Sequence, residues 1–143
     1  MIRLVIFDWG DTVMREPDFN GKMVDAPHVE ALPGIQAVLE ALHPAYRLVM
    51  ASNAQASAPP DIFAALRRVG LDRYFERAFA SSVMGVAKPS PDFFLAVVRD
   101  CGVLPGEAVN IGDTFEKDIV GAKQAGLCAV WYNWKNATLP PGI

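Results

Sequence analysis

Val5-Ile6-Phe7-Asp8-Trp9-Gly10-Asp11-Thr12-Val13 is the stretch whose reading decides the fold. It begins in the apolar run Leu4-Val5-Ile6-Phe7, which Asp8 ends, so the run is too short for a signal peptide or a membrane span. Residues 2–7 read as a short buried strand. Outward from it, apolar segments of two kinds alternate. Residues 34–43 read as a helix, with Ile35, Val38, Leu39 and Leu42 at helical spacing between Pro33-Gly34 and Pro44. Tyr46 to Ala51 reads as a strand, Asp61 to Val69 as a helix stopped by Gly70, and Arg77 to Ser81 as a weak strand. Asp92 to Cys101 follows as a helix, Ala108 to Ile111 as a strand, Phe115 to Ala125 as a helix closed by Gly126, and Leu127 to Tyr132 as the last strand. Strands alternating with helices predict an α/β fold: a three-layer, Rossmann-like sandwich with a parallel five-stranded sheet and right-handed crossovers. Leu139-Pro140-Pro141-Gly142 reads as a frayed tail.

Parallel sheets of this kind bind ligands beyond the carboxyl ends of their strands. The polar residues there are Asp8, Ser52 and Asn53, Lys88 in the loop beyond the third strand, and Asp113. Taken singly, each has an ordinary role. Asp8 and Asp113 suit turns, Ser52 a helix cap, Lys88 a solvated loop, and Asp118 a helix surface. Taken together, carboxylates, a hydroxyl, an asparagine and an ammonium suit a magnesium-bound phosphate ester. Carboxylates hold a hard cation through oxygen. The ammonium and hydroxyl bind phosphoryl oxygens, and a carboxylate not fully used by the metal can attack phosphorus.

Four segments, in this order, resemble those of the haloacid dehalogenase (HAD) superfamily. They are Val5 to Val13, Leu48-Val49-Met50-Ala51-Ser52-Asn53, Gly85 to Phe94 around Lys88-Pro89, and Asn110-Ile111-Gly112-Asp113-Thr114-Phe115-Glu116-Lys117-Asp118. Val69 to Phe75 also resembles the superfamily's dehalogenase and phosphatase branch. The resemblance implies a Mg²⁺-dependent phosphohydrolase in which Asp8 is the nucleophile that forms an aspartyl-phosphate. It implies that Ser52 and Asn53 bind the phosphoryl group. Lys88 offsets charge on Asp8 and phosphate, and Thr12 braces the Asp8 loop or contacts substrate. Metal contacts fall to Asp8, the Gly10 carbonyl, Asp113 and Asp118, with Asp118 acting through water or pairing with Lys88.

One position departs from that pattern. Phosphatases of the superfamily usually carry a second Asp two places after the nucleophile, where it handles the leaving group's proton. Here that residue is Gly10, and an Asp follows one place later, at Asp11. Three outcomes are open. Asp11 swings in as the acid and base; the enzyme is slow or restricted to good leaving groups; or the protein binds phosphate without turnover, as a regulatory or non-catalytic member. A true dehalogenase needs no proton for its halide, but it needs a large cap for which this chain has no room.

The cap is also missing by this reading. The whole of residues 1–143 is expected to form one domain, with 13–31 a short flap in place of a cap. An open site suits a phosphorylated macromolecule, or a small phosphorylated molecule covered by the second subunit of a homodimer. In the flap, Arg15 and Lys22 are candidate contacts to an anionic substrate and His28 a candidate for proton transfer. Trp131 is expected in the core. Trp134 is a candidate for the site entrance or a partner surface, with packing in the core or at an edge the ordinary alternative.

Composition narrows the setting. In 143 residues, 52% hydrophobic and 20% charged, a proper core is available and disorder is excluded. Thirteen Lys and Arg against sixteen Asp and Glu give a net charge of -3, so no basic excess indicates nucleic acid or a membrane surface. Cys101 and Cys128 lack metal-ligand spacing and read as two buried thiols in a reducing cytoplasm.

Overall fold

The structure, a computed structural model, describes residues 1–139. Its strands are β1 (Leu4–Phe7), β2 (Arg47–Ser52), β3 (Arg77–Ala80), β4 (Ala108–Gly112) and β5 (Cys128–Trp131). Every pairing between them is parallel, and the sheet order is β3-β2-β1-β4-β5. The helices are α1 (Ile35–Leu42), α2 (Pro59–Arg68), α3 (Ser81–Met84), α4 (Pro91–Cys101) and α5 (Gly121–Gln124).

Side chains of β1 alternate between two cores, because successive residues of a strand point to opposite faces. Val5 and Phe7 pack with Ile35 and Leu39 of α1 and Ile62 and Leu66 of α2. Leu4 and Ile6 pack with Phe93, Phe94, Val97 and Val98 of α4 and Ala122 of α5. Helices thus cover both faces of a central sheet, giving the three layers that the sequence predicts. The helix ends follow local chemistry. α4 starts at Pro91, whose missing N–H costs nothing there, and stops at Gly102, which adopts φ 72°. Among the described residues no helix is long and apolar enough to cross a membrane.

Several expectations need correction. The stretch expected as one helix from Phe115 to Ala125 is a π-helical turn, Phe115–Val120, followed by the short α5. The third strand stops at Ala80, and Ser81 already belongs to α3. Val38, expected on the buried face of α1, is 44% exposed. Cys101 is a buried thiol, but Cys128 is exposed. Both misreadings have one cause. β5 is an edge strand; Ala129 faces the core of α4 and α5, while Val130, on the other face, lines an open groove with Val38, and Cys128 on the same face as Val130 is exposed. Trp131 is half-buried rather than in the core. The frayed tail expected from Leu139 falls, at residues 140–143, outside the described residues.

Candidate active site

The strand order reverses direction at the junction of β1 and β4, where a ligand crevice forms in open α/β sheets. Register does the rest. Phe7 lies opposite both Met50 and Ile111, so the residues that follow β1, β2 and β4 emerge side by side. The Asp8 N–H donates to the Ile111 carbonyl at 2.9 Å, holding the two loops together. A pocket of about 260 Å³ opens there, lined by Asp8, Gly10, Asp11, Glu16, Ser52 and Asn53 on one side and by Lys88, Asp113, Thr114, Lys117, Asp118 and Lys135 on the other.

Lys88 is the hub. Its side chain is 2% exposed, and its ammonium donates to Asp8 Oδ1 at 2.9 Å, Asp118 Oδ1 at 2.7 Å and the Ala51 carbonyl at 3.0 Å. Three acceptors match its three protons. Burial alone would lower this lysine, but the Asp8 and Asp118 carboxylates outweigh it and hold it above the ordinary lysine range. Asp118, expected on a helix surface if it had no function, is buried. The π-helical turn presents it inward, and its second oxygen accepts from the Thr114 N–H at 3.1 Å. Gly112 makes room for it, since a Cβ at that position would overlap the Asp118 carboxyl group. Burial raises the Asp118 carboxyl, as does Asp8, while Lys88 opposes the rise.

Asp113 faces Asp8 across Thr12. The Thr12 hydroxyl lies 3.3 Å from Asp8 Oδ2 and 3.2 Å from Asp113 Oδ1, and its single proton serves one at a time. Thr12 is 1% exposed and does not line the pocket, so its position is that of a brace rather than a substrate contact. Burial, then the hydrogen-bonded Asp8 carboxylate, pushes Asp113 up to about 7. Trp131, from the end of β5, donates its indole N–H to the Asp113 carbonyl at 2.9 Å and fixes this loop from outside.

Carboxylate oxygens of Asp8, Asp113 and Asp118 lie within 4.8 Å of one another, a hard oxygen set suited to a small divalent cation. The hydrogen bonds divide that set. Asp118 already serves Lys88 on one oxygen and Thr114 on the other, which makes it the partner of Lys88. Asp8 accepts from Lys88 on Oδ1, but its Oδ2 only shares the single Thr12 proton with Asp113, so Asp8 Oδ2 and the Asp113 carboxylate are left to hold a cation directly.

The segment after Asp8 differs most from expectation. Asp11 adopts φ 59°, a left-handed conformation that Asp tolerates better than most residues. Its carboxylate accepts from the Glu16 N–H at 3.0 Å and lies 3.5 Å from the Lys135 ammonium. Its carbonyl accepts from the Trp134 indole at 2.8 Å. These contacts place Asp11 at the rim of the pocket. Glu16 lies where a side chain of residue 10 would be. A Cβ on Gly10 would overlap Oε1 of Glu16, with Cδ at 2.7 Å and Cγ at 3.0 Å. Glu16 as a whole is exposed, but its carboxyl end folds back over Gly10. Partial loss of water there raises that carboxyl, and the charges of Asp11 and Asp8 add to the rise.

Other expected residues sort as follows. Ser52 is buried at the end of β2 and lines the pocket. Asn53 lines it too, but both ends of its amide bond the Lys88 backbone at 2.9 Å, so it ties the lysine loop to β2. Arg15 is paired with Glu30 at 2.7 Å and Lys22 with Asp61 at 3.2 Å, and neither lines this pocket. His28 is exposed beside Glu30. Trp134 is exposed, does not line this pocket, and donates its indole N–H to the Asp11 carbonyl. Sequence reasoning missed Glu16, Thr114, Lys117 and Lys135 as pocket-lining residues. For Lys117 the available signal was its place inside the fourth motif, one residue before Asp118. For Glu16 and Lys135 no spacing rule gave one.

The profile of the haloacid dehalogenase-like hydrolases matches residues 9–126. Glyceraldehyde 3-phosphate phosphatase of Methanopyrus kandleri is 43% identical over 65 residues, which is 46% of this chain and 28% of that protein. Human N-acylneuraminate-9-phosphatase is 31% identical over 123 residues, 85% of this chain and 48% of that one. The chain therefore spans half or less of the length of the curated relatives it matches. Among solved structures, an uncharacterized protein from Listeria monocytogenes serotype 4b superposes with TM-score 0.87 at 27% identity, over 98% of this chain and 83% of that one. A HAD phosphatase from Thermococcus onnurineus superposes with TM-score 0.77 at 21% identity, over 99% and 91%, and shares the fold.

Proposed function

The chain belongs to the haloacid dehalogenase-like hydrolase family, and from that premise we propose that it is a Mg²⁺-dependent phosphohydrolase working through an aspartyl-phosphate on Asp8. The observation that carries this reading is the buried Lys88 ammonium, hydrogen-bonded between Asp8 and Asp118 at the floor of an open pocket. A fixed positive charge beside a carboxylate both orients it and stabilises the negative charge that gathers when it attacks phosphate. In this reading Asp8 attacks phosphorus, Ser52 receives a phosphoryl oxygen, and Lys88 stays protonated throughout. Asp8 and Asp113 would hold Mg²⁺, which, when bound, offsets repulsion between the nucleophile and the incoming anion. Lys117 and Lys135 at the rim suit an anionic substrate. The relatives named above act on phosphate esters by their names, which supports the same substrate class here.

A second reading is phosphate binding without turnover. One observation favours it: Gly10 has no side chain, and Asp11 is held outward. The two readings part in one assay. Phosphate release from acetyl phosphate and p-nitrophenyl phosphate is measured with and without Mg²⁺, beside Asp8→Asn. Metal-dependent release that disappears in the variant supports the enzyme. Release that persists in Asp8→Asn overturns the nucleophile, and none above that variant leaves the binding role.

A further inference from the structure

We propose that Glu16, reaching over Gly10 from the flap, is the group that gives a proton to the leaving oxygen and takes one back from water. This rests on the phosphohydrolase reading and adds to it the residue that handles the proton. Three observations carry it. The Glu16 carboxyl group fills the space that a side chain on residue 10 would enter, so a carboxylate stands over the nucleophile loop although Gly10 brings none. Glu16 lines the same pocket as Asp8, Ser52 and Lys88. Glu16 also lines the adjoining pocket of about 260 Å³, formed with Trp9, Gly21, Met23 and Gln55. A phosphate seated on Ser52 and Lys88 would direct its ester group past Glu16 into that second pocket, which Ser52 and Asn53 also line.

Asp11, one place after Gly10, does not compete for the role. The Glu16 N–H and the Trp134 indole secure it, one through the side chain and one through the backbone. Asp11 thereby anchors the start of Glu16 and positions it.

The step balances without a further reactant. As an Asp8 oxygen bonds to phosphorus, the P–O bond to the leaving group breaks, and protonated Glu16 transfers its proton to that oxygen. Water then attacks the aspartyl-phosphate. The Glu16 carboxylate accepts a proton from the water, the acyl-phosphate bond breaks, and phosphate leaves with Asp8 and protonated Glu16 restored.

The test is a series of phenyl phosphates with progressively poorer leaving groups, from p-nitrophenyl phosphate to unsubstituted phenyl phosphate. First-turnover cleavage is followed in the unmodified protein, Glu16→Gln and Asp8→Asn. Loss of a general acid falls hardest on the poorest leaving group, up to about 10²–10⁴-fold. The expected result is a ratio of phenyl to p-nitrophenyl rates at least about tenfold lower in Glu16→Gln. An unchanged ratio, whether the rates drop together or not at all, overturns the assignment. The pair Glu16→Ala and Gly10→Asp/Glu16→Ala provides a second check. Gly10 is not in a positive-φ conformation, so it accepts a side chain once Glu16 is cut back. Recovery of phenyl phosphate cleavage in the double variant supports a carboxylate acting in that space, and no recovery counts against it. Absence of Asp8-dependent release from p-nitrophenyl phosphate in the unmodified protein is a separate result. It overturns the phosphohydrolase reading, and the role of Glu16 with it.

Discussion

Replacing Lys88 by Met removes the ammonium while keeping a flexible chain of similar length in a site where the side chain is 2% exposed. Three acceptors then lose their donor: Asp8 Oδ1, Asp118 Oδ1 and the Ala51 carbonyl. Two carboxylates are left facing each other in a buried place. Breaking a buried ion pair from one side costs about 3–5 kcal/mol, because the remaining charge is uncompensated. Against a total stability of about 5–15 kcal/mol that is a large fraction. With a urea slope of about 2 kcal/mol per M, the unfolding midpoint should fall by roughly 1.5–2.5 M. The loss should also depend on pH in a definite sense. Asp118 is raised by burial and by Asp8, and Lys88 is what opposes that rise. Without Lys88 it is raised further, and a carboxyl raised in the folded state favours folding below its unfolded value and loses that contribution as pH rises. The variant should therefore lie nearest its parent at pH 5 and furthest at pH 8. Urea unfolding of both proteins at the two pH values, with divalent cations chelated, measures this directly. Adding Asp118→Asn to Lys88→Met should return part of the loss, because the second change removes one of the stranded charges. A midpoint shift below about 0.5 M at pH 8, or a shift that ignores pH, would refute the account of Lys88 as a compensated buried charge.

Two further outcomes are expected. Gly112→Ala would drive a methyl group into the Asp118 carboxyl and displace it from Lys88, lowering Asp8-dependent phosphate release by about 10²-fold; unchanged kinetics would show that Asp118 need not hold its place. For the cation, Asp113 carries the sign. Its rise from 3.8 to about 7 means that its protonation stabilises the cation-free fold below pH 3.8, a contribution lost as pH rises through about 7. Mg²⁺ needs the ionised form, so its dissociation constant should increase by about tenfold for each unit below pH 7. Calorimetric titration at pH 6, 7 and 8 checks this, and a pH-independent affinity would remove Asp113 from the cation's contacts.

What the sequence made legible follows from the kind of information each residue carries. Asp8, Asp113 and Ser52 were readable because each ends an apolar strand, and parallel pairing brings strand ends together whatever the loops do. Lys88 was readable as a member of the set, although its burial was not. Asp8, Asp118 and the Ala51 carbonyl, arriving from other elements, make a buried ammonium tolerable. Val38 and Cys128 were misread because helical spacing and apolar character predict burial only where a neighbour exists. Ala129 of β5 packs against the core of α4 and α5, but Cys128 and Val130 point to the opposite face and are exposed there.

Glu16 shows the limit most clearly, and it also shows why the departure at Gly10 is open to a structural answer. Its place depends on a chain reversal. Val13 and Met14 donate to the Trp9 carbonyl, Asp11 takes a left-handed turn, and the Asp11 carboxylate receives the Glu16 N–H. None of these leaves a periodic trace. The same reversal uses up Asp11, the residue that spacing nominated as the substitute acid, and delivers a carboxylate from further along the chain into the space above Gly10. Sequence distance from Asp8 is therefore a poor guide to which carboxyl group folds over its loop. The Glu16 N–H and the Trp134 indole, the two donors to Asp11, set the arrangement: the Asp11 carboxylate lies at the rim and the Glu16 carboxyl folds over Gly10.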